Sequence, residues 1–513
     1  MKQFIVIALL FAAPQLMAAS EDKKLMGELE LEYCHIPHYS QEVLCGSFPV
    51  FEDRVSRKGR EIEINFAVIP SITEAKEADP LVFFAGGPGQ GARDMGRFIS
   101  AAFSEVRENR DVILIDQRGM GSSHPLACEQ PDDTDMFLSD EQANELMRDL
   151  LTQCLDALDA DVTKYTQDLA NQDIHDILVA LGYDKVNLYG VSWGTRSALL
   201  YVNQFPKQVR TVIMDGVAPL SNRIPLYANQ DAERAIQALF KDCDLDKICQ
   251  TAFPKLKQDF DQVLTDFGKD GYEVSMNDAN TGKPTTFRLT RKTFVSVIRN
   301  ILYVPDYSRL IPIIIQQAKA KDFRALAGLG AAFGDGDIAL GAMMSVLCSE
   351  DFSRISNDDI ADQTANGFVG DAFIDVFRVG CAVWPKAPVP AIYNQSLISD
   401  VPTMILSGAL DPVTPQRWGE KMKELMTNSL HLVAANTGHN VGPKGCAPDL
   451  MKQLITQGNL KNIDGSCLDE INRPTFFIDG NGPSSKFIEP NLIQAGNSDK
   501  QNLKKDKEET TND

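Results

Sequence analysis

One stretch of the sequence has the residue types and spacing of a serine nucleophile. It reads Gly190-x-Ser192-x-Gly194 between the apolar run at 186–191 and a helix-forming stretch. This pattern is typical of a strand, a sharp turn and a helix, in which glycines allow the close backbone approach that the turn requires. The Ser192 hydroxyl would be exposed there, beside the N–H of Trp193 at the start of the helix. Such a motif alone also occurs by chance in loops.

A glycine-rich segment follows an earlier apolar run and offers backbone donors. Gly86-Gly87-Pro88-Gly89 comes directly after the run at 81–84. We predict an oxyanion hole formed by the N–H groups of Gly87 and Trp193. A phosphate-binding loop is the rival interpretation. It is disfavoured because no Gly-Lys-Ser/Thr follows and because Pro88 lacks an N–H group.

An acid and a base follow two later apolar runs. Asp411 lies just beyond the run at 403–406, and His439 lies just beyond the run at 431–434. A serine hydroxyl is a poor nucleophile without such a base, so we predict a catalytic triad of Ser192, Asp411 and His439. His439 would accept the Ser192 proton and pass it to the leaving group, while Asp411 fixes the imidazole tautomer. The order serine, aspartate, histidine along the chain is that of α/β-hydrolases.

The elements that must position these residues alternate along the chain. Short runs that are apolar on both faces are typical of buried parallel strands, and they occur at 81–84, 112–115, 186–191, 209–214, 403–406 and 431–434. Helical stretches separate them, at 140–158, 170–181 and 195–203. We therefore predict an α/β-hydrolase fold, with a mostly parallel central sheet and helices on both faces. Arg118, after the second of these runs, is interpreted as a buried structural guanidinium that ties loops together.

The alternation stops in the middle of the chain and then resumes. Helical patterns at 231–240, 253–267, 291–302 and 308–329 and a hairpin around 279–282 indicate an inserted, mostly helical cap at 221–390. The hydrolase core would then comprise a first part at 20–220 and a second part at 391–492. Residues 493–513 are charged and amide-rich, and we predict a disordered polar tail there.

The first residues have the composition of a secretory signal. A lysine, a short apolar run and small residues at 18–20 predict a signal peptide at 1–19, and the apolar part is too short to serve as a membrane anchor. We therefore expect a secreted or periplasmic protein.

Ten cysteines agree with export, because an even number in an exported chain indicates disulfides. They fall into neighbouring pairs, and sequential pairing is our hypothesis: Cys34/Cys45, Cys128/Cys154, Cys243/Cys249, Cys348/Cys381 and Cys446/Cys467. Cys34, His35, His38 and Cys45 could also imitate a zinc site, but a regular second ligand pair is lacking.

The charge balance restricts the partners. With 50 basic and 71 acidic side chains the formal net charge is −21, which excludes sequence-independent binding to nucleic acid. The sequence implies no metal and no organic cofactor, and it leaves the oligomeric state open.

Taken together, the motifs resemble those of the prolyl iminopeptidase-like serine peptidases, particularly the exported tripeptidyl aminopeptidase-like branch. The matching residues are Gly86-Gly87-Pro88-Gly89, Asp116-Gln117-Arg118-Gly119-x-Gly121-x-Ser123, Gly190-x-Ser192-Trp193-Gly194, Asp411-Pro412-x-Thr414-Pro415 and Gly438-His439. Two positions depart from the pattern: Ala85 stands where cytosolic iminopeptidases usually have histidine, and Asn440 where glycine is common.

The resemblance implies release of residues from the free N-terminus of a short peptide. An α-amino group is mainly cationic at neutral pH, so a desolvated pocket must offer it a carboxylate. In the family this acid comes from the cap, and Glu350 and then Asp351 are the candidates here. A solvated acidic turn beside a disulfide is the competing interpretation.

Three functions are compatible with these motifs. The first is an exported serine aminopeptidase that acts through an acyl-enzyme. The second is a carboxylesterase that uses the same triad on small esters. The third is a binding protein that keeps the fold but has lost catalysis, and the intact residues Ser192, Asp411 and His439 disfavour it.

Overall fold

The computed structural model describes residues 23–128, 138–268, 271–277, 281–332 and 338–483. The predicted signal peptide at 1–19 and the predicted polar tail at 493–513 lie outside these ranges. Within the ranges none of the helices has both the length and the apolar composition needed to cross a bilayer.

Ten strands form one sheet in the order β1-β2-β3-β4-β6-β5-β7-β8-β11-β12. Their bounds are β1 Lys23–Met26, β2 Leu29–Cys34, β3 Val43–Phe51, β4 Glu61–Ile69, β5 Leu81–Phe84, β6 Val112–Ile115, β7 Val186–Val191, β8 Val209–Asp215, β11 Thr403–Gly408 and β12 Ser429–Ala434. Pairing is antiparallel from β1 through β4 to β6 and parallel from β6 to β12. The predicted α/β-hydrolase fold with a mostly parallel sheet is confirmed.

Helices cover the two faces of the sheet, and their bounds are α1 Gly96–Ala102, α2 Asp140–Ala157, α3 Gln167–Ala180, α4 Gly194–Gln204, α15 Gln416–Lys423 and α16 Ala447–Gln457. Side chains of the parallel strands alternate between two hydrophobic cores, as a period of two requires. Val82 and Phe84 belong to the core beneath α2, α3, α4 and α15, whereas Leu81 and Phe83 belong to the core beneath α1 and α16. Burial on both faces explains why these strands are apolar throughout.

A long segment between β8 and β11 carries the remaining helices and a separate two-stranded sheet. Its elements are α5 Ala228–Leu245, α6 Lys247–Ala252, α7 Leu256–Asp266, β9 Tyr272–Asn277, β10 Pro284–Leu289, α8 Arg291–Leu302, α9 Pro305–Ser308, α10 Ile311–Lys319, α11 Arg324–Ala332, α12 Leu340–Glu350, α13 Asn357–Thr364 and α14 Ala372–Val383. Short 3₁₀ turns occur at Val106–Glu108, Val162–Lys164, Phe352–Arg354, Ala391–Asn394 and Ser466–Glu470.

The helical pattern predicted at 308–329 is divided in the structure, because α9 ends at Ser308 and α10 and α11 follow as separate helices. Pro312 lies in the first turn of α10, where the absence of an N–H group costs nothing, so a helix begins at that point. Lys321 then has a φ of 62°, in the left-handed region, which ends α10 before α11 begins. In the sequence, the helical periodicity of apolar residues continues across both breaks, so it does not show where one helix ends and the next begins.

The inserted segment contributes to two cores. Helices α5, α7, α8 and α10 pack around a core of their own that includes Phe260 and Phe294. Helices α12 and α14 instead contribute Leu347 and Phe377 to the main core beside the sheet. The later part of the insertion is therefore packed into the main body of the protein. The predicted domain limits at 221 and 390 remain predictions.

All ten cysteines form the five sequential disulfides that we expected, Cys34–Cys45, Cys128–Cys154, Cys243–Cys249, Cys348–Cys381 and Cys446–Cys467. The two cysteines of the rival zinc site are thus bonded to each other. The Cys348–Cys381 disulfide joins α12 to α14.

Candidate active site

Ser192 lies in a sharp turn between β7 and α4. Its φ is 55°, a strained left-handed conformation for a residue with a side chain, and its N–H donates to the carbonyl of Asp215 at 2.8 Å. A Cβ atom on Gly190 would lie 2.5 Å from the carbonyl oxygen of Gly194, and one on Gly194 would lie 2.2 Å from that of Phe84. Only glycine fits at these two positions, so the sequence motif and the turn require each other.

The two segments that carry the predicted donors of the oxyanion hole both adjoin Ser192. Trp193 immediately precedes α4, where the N–H groups have no intrahelical acceptor. A Cβ atom on Gly86 would lie 3.2 Å from Cβ of Ser192, so the glycine-rich loop passes directly beside the serine. The loop is held from the insertion, because the N–H of Ala339 donates to the carbonyl of Gly89 at 3.0 Å.

Asp411 is fully buried in the turn after β11 and its carboxylate accepts four hydrogen bonds. One oxygen accepts from the N–H groups of Val413 and Thr414, at 2.7 and 2.9 Å. The other accepts from the Thr414 hydroxyl at 2.7 Å and from Nδ1 of His439 at 2.8 Å. Burial by itself raises the pKa of Asp411, but the facing His439 and these donors hold it at about 2. The carboxylate is therefore ionised in the folded protein.

His439 follows β12 and pairs with Asp411 through Nδ1, which must be the donor to a carboxylate. The Thr414 oxygen lies 3.1 Å from the same nitrogen, so the Thr414 hydroxyl bridges the acid and the base. The His439 side chain is 8% exposed. Burial lowers the pKa of His439, but the charge and hydrogen bond of Asp411, aided by Asp215, raise it above its ordinary value. This arrangement leaves Nε2 for proton transfer.

The histidine loop and the serine turn meet at Asp215, the last residue of β8. Its carbonyl accepts from the N–H of Ser192, and its carboxylate accepts from the N–H groups of Val441 and Gly442 at 2.7 and 2.8 Å. The Tyr189 hydroxyl donates to the same carboxylate at 2.6 Å. Asp215 is fully buried, and it connects the turn that carries Ser192 with the loop that carries His439.

The structure brings His439 and Asp411 into contact, but Ser192 and His439 share no hydrogen bond within the described ranges. A Cβ atom on Gly216, the residue after Asp215, would lie 3.1 Å from Cε1 of His439. The imidazole therefore lies against the residue that follows Asp215, and the Asp215 carbonyl accepts the N–H of Ser192. Hydrogen bonds between nucleophile and base are often long in unliganded enzymes and shorten in the substrate complex.

Two residues of the insertion support the loops that carry the acid and the base. Arg234 of α5 donates to the carbonyl of Ala409 at 2.7 Å and to the carbonyl of Asp411. Tyr303, next to the end of α8, accepts the N–H of His439 at 2.9 Å, and its ring contacts the imidazole edge-on at 5.2 Å.

Glu350 and Asp351 are fully buried and bonded within the protein. Asp351 pairs with Arg196 and also with Arg354, at 3.1 Å in the second pair. Glu350 accepts from the N–H of Gln167 at 2.7 Å and from the Tyr393 hydroxyl, and burial raises its pKa to about 7. Both carboxylates are therefore bonded to residues other than Asp411 and His439, and they have no solvent-exposed surface.

Arg118 has the structural position that we expected. It makes a two-bond ion pair with Asp173, at 2.7 and 2.8 Å, and donates to the carbonyls of Glu52 and Lys164. It is fully buried.

Four features of the site were not predicted from the sequence: Asp215, Arg234, Tyr303 and the bridging role of Thr414. Asp215 could have been predicted, because it follows the apolar run at 209–214 and functional residues of α/β proteins often lie at the carboxyl ends of parallel strands. Thr414 stood inside a motif that we had singled out. Arg234 donates to backbone carbonyls, and Tyr303 accepts the His439 N–H with its own carbonyl. Contacts with backbone groups cannot be recognised from residue types.

Comparisons with known proteins agree with this geometry. A family model described as alpha/beta hydrolase fold matches residues 79–271, and one described as TAP-like protein matches residues 366–467. Serine protease Hip1 of Mycobacterium tuberculosis is 24% identical over 469 residues, covering 83% of this chain and 87% of that protein.

Two shorter matches point in the same direction. The tripeptidyl aminopeptidase of Streptomyces lividans is 28% identical over 39% of this chain and 40% of its own length. The proline iminopeptidase of Neisseria gonorrhoeae is 29% identical over 27% of this chain and 32% of its own length. By its fold and these similarities, the chain is an enzyme of the serine hydrolase class with the α/β-hydrolase fold, and it is similar to TAP-like peptidases.

Proposed function

We propose that this protein is an exported serine aminopeptidase that releases residues from the free N-terminus of short peptides. The observation that carries the proposal is the bonded pair of Asp411 and His439, whose histidine loop is joined through Asp215 to the strained turn of Ser192. Similarity to a tripeptidyl aminopeptidase and a proline iminopeptidase supports the peptide substrate and the attack near the N-terminus. Five disulfides support folding in an oxidising compartment.

In the proposed mechanism Nε2 of His439 accepts the proton of Ser192 while the serine oxygen attacks the scissile carbonyl. The negative charge that develops on that oxygen is stabilised by the N–H groups of Gly87 and Trp193, each worth about 3 kcal/mol in comparable sites. His439 then donates the proton to the departing amine, which leaves an acyl-enzyme on Ser192. A water molecule activated by the same imidazole hydrolyses this ester. Asp411 stays ionised and stabilises the imidazolium in both halves of the cycle.

The proposal is tested with a fluorophosphonate probe and two matched substrates. We expect the probe to label the wild-type protein and not Ser192→Ala. We also expect a short peptide with a free N-terminus to be cleaved at a peptide bond. If the protein is labelled but turns over only simple acyl esters, it is the carboxylesterase. Absence of labelling of the folded wild-type protein would leave the non-catalytic binding protein as the remaining function.

Recognition of the substrate amine by Glu350 is tested by Glu350→Gln. If this carboxylate binds the amine, the variant loses activity on free-amine substrates, and acetylated analogues are cleaved as before. If Glu350 acts only through its buried hydrogen bonds with Gln167 and Tyr393, both substrates lose activity equally. The ratio of the two kcat/KM values distinguishes these results, and an unchanged ratio removes Glu350 from amine binding.

The pH profile of the enzyme is expected to reflect the raised pKa of His439. Because the base must be neutral, kcat/KM should fall as the pH drops below a midpoint that lies above the ordinary value of 6.5. The Asp215 carboxylate contributes to this rise, so Asp215→Asn should move the midpoint to lower pH. A p-nitrophenyl ester is the appropriate substrate, since it has no titrating amine. A wild-type midpoint at or below 6.5 would contradict the assignment.

A further inference from the structure

Four arginines are buried within the described part of the chain, and one of them differs from the others. Arg110, Arg118 and Arg196 each have a carboxylate partner, Asp79, Asp173 and Asp351 respectively. Arg299 of α8 is 6% exposed, and no carboxylate of the described ranges lies within 4.0 Å of it. This is unexpected in a protein with 71 acidic and 50 basic side chains.

The immediate surroundings of Arg299 satisfy its guanidinium poorly. Nε has no hydrogen-bond partner within the described ranges, and Nη1 donates to the Tyr303 hydroxyl over a long distance of 3.5 Å. The guanidinium lies over the Phe373 ring at 4.2 Å and over the Tyr303 ring at 5.5 Å. Aromatic faces compensate only part of the cost of burying a cation. Among the described residues, the Arg299 guanidinium therefore has no anionic partner.

Arg299 is located next to the base of the proposed reaction. Tyr303, one helical turn after Arg299, contacts the His439 imidazole with its ring and accepts the His439 N–H with its carbonyl. The Arg299 charge reaches the imidazole, because it is one of the influences that lower the His439 pKa, against the larger effect of Asp411. Phe373 and Tyr303, which the guanidinium contacts, are both partly exposed residues.

The chemistry fixes which part of a substrate would be near Arg299. His439 must donate a proton to the departing amine, so the leaving part of the peptide lies on the imidazole side of Ser192. The acyl part lies on the other side, toward the donors of the oxyanion hole. An anion bound by Arg299 would thus belong to the leaving part. In a short peptide that part always carries one anion, the C-terminal carboxylate.

We propose that Arg299 binds a carboxylate on the leaving part of the substrate, which selects short peptides with a free C-terminus. This rests on the proposed peptidase function and adds a substrate class to it. A planar guanidinium can form two parallel hydrogen bonds with a carboxylate, and the pair is strengthened by low exposure. Peptides whose C-terminus is distant or blocked would lose these bonds. An aspartate or glutamate side chain in the leaving part offers the same group.

The test compares free-amine peptides of two to six residues, each as the C-terminal acid and as the C-terminal amide. We expect the wild-type enzyme to prefer the acid at the length that reaches Arg299. Arg299→Gln should lower kcat/KM for that acid on the order of tenfold to a hundredfold and leave the amide nearly unchanged. Arg299→Lys should restore part of the preference. An amide with aspartate in the leaving part distinguishes a side-chain carboxylate from the C-terminus.

Arg291→Gln is the matched control, because Arg291 begins the same helix and donates to the carbonyl of Phe368. It should leave the acid-to-amide ratio unchanged. An equal loss on acid and amide in Arg299→Gln, or a wild-type enzyme without preference at every length, would overturn the proposal. Fluorophosphonate labelling of Arg299→Gln shows whether the variant is folded. If no peptide, whether the C-terminal acid or the C-terminal amide, is cleaved by any form of the enzyme, the proposed peptidase function itself fails.

Discussion

Ser192→Ala is expected to reduce kcat by about 10⁶-fold, the effect seen when the nucleophile is removed from comparable triads. The substitution removes only the attacking oxygen. The backbone turn and both predicted oxyanion donors remain, so slow residual hydrolysis by bound water is expected. Single-turnover release of amine, compared with the uncatalysed reaction, measures the loss.

Ser197→Ala is the matched control for this experiment. Ser197 lies on the same helix, and its hydroxyl is buried with no hydrogen-bond partner within the described ranges. Its removal should leave kcat within about twofold, since no bond is lost. If Ser192→Ala retained more than a few per cent of wild-type activity, Ser192 would not be the nucleophile.

Asp411→Asn is expected to reduce kcat/KM by about 10⁴-fold, because an amide can donate to Nδ1 and thereby select the wrong imidazole tautomer. The carboxylate also raises the pKa of His439, so the residual activity should show its acid limb at lower pH. Both effects are measured from one pH series with an ester substrate. If activity were lost but the acid limb of the pH profile did not move, the prediction that Asp411 raises the pKa of His439 would be contradicted.

The stability of the same variant provides a second readout. The pKa of Asp411 is about 2 in the folded protein and 3.8 in its reference state, so its ionisation stabilises the fold above pH 3.8. This contribution disappears as the pH falls toward 2, and Asp411→Asn should lack that part of the acid dependence. Asp400→Asn, at an exposed site before β11, is the control and should unfold like the wild type.

The strands and the order of the motifs were predictable because they depend on local patterns. β5, β6 and β7 have the same bounds in the sequence prediction and in the structure, since burial on both faces demands apolar residues throughout. The position of Ser192 follows from the two glycines beside it. The contact of Asp411 with His439 was predictable only through topology, as residues that follow neighbouring parallel strands meet at one edge of the sheet.

The insertion was harder to predict because its periodicity does not show where helices break or what they contact. The helix expected at 308–329 is interrupted twice. Glu350 and Asp351 looked like an exposed acidic turn or an amine site, yet Arg196 lies far away in the sequence and makes Asp351 part of a buried ion pair. A carboxylate that must be paired after burial cannot be distinguished from a functional one by residue type.

Support of the Asp411 loop by Arg234 and of His439 by Tyr303 has a consequence for protein engineering. An inserted segment such as this one could be exchanged between related hydrolases in order to change their substrate specificity. In this protein a replacement segment would also have to supply the guanidinium of Arg234, which donates to the Asp411 loop, and the carbonyl of Tyr303, which accepts the N–H of His439. We therefore expect point substitutions on α8 and α14 to be a better way to alter specificity than exchange of the whole inserted segment.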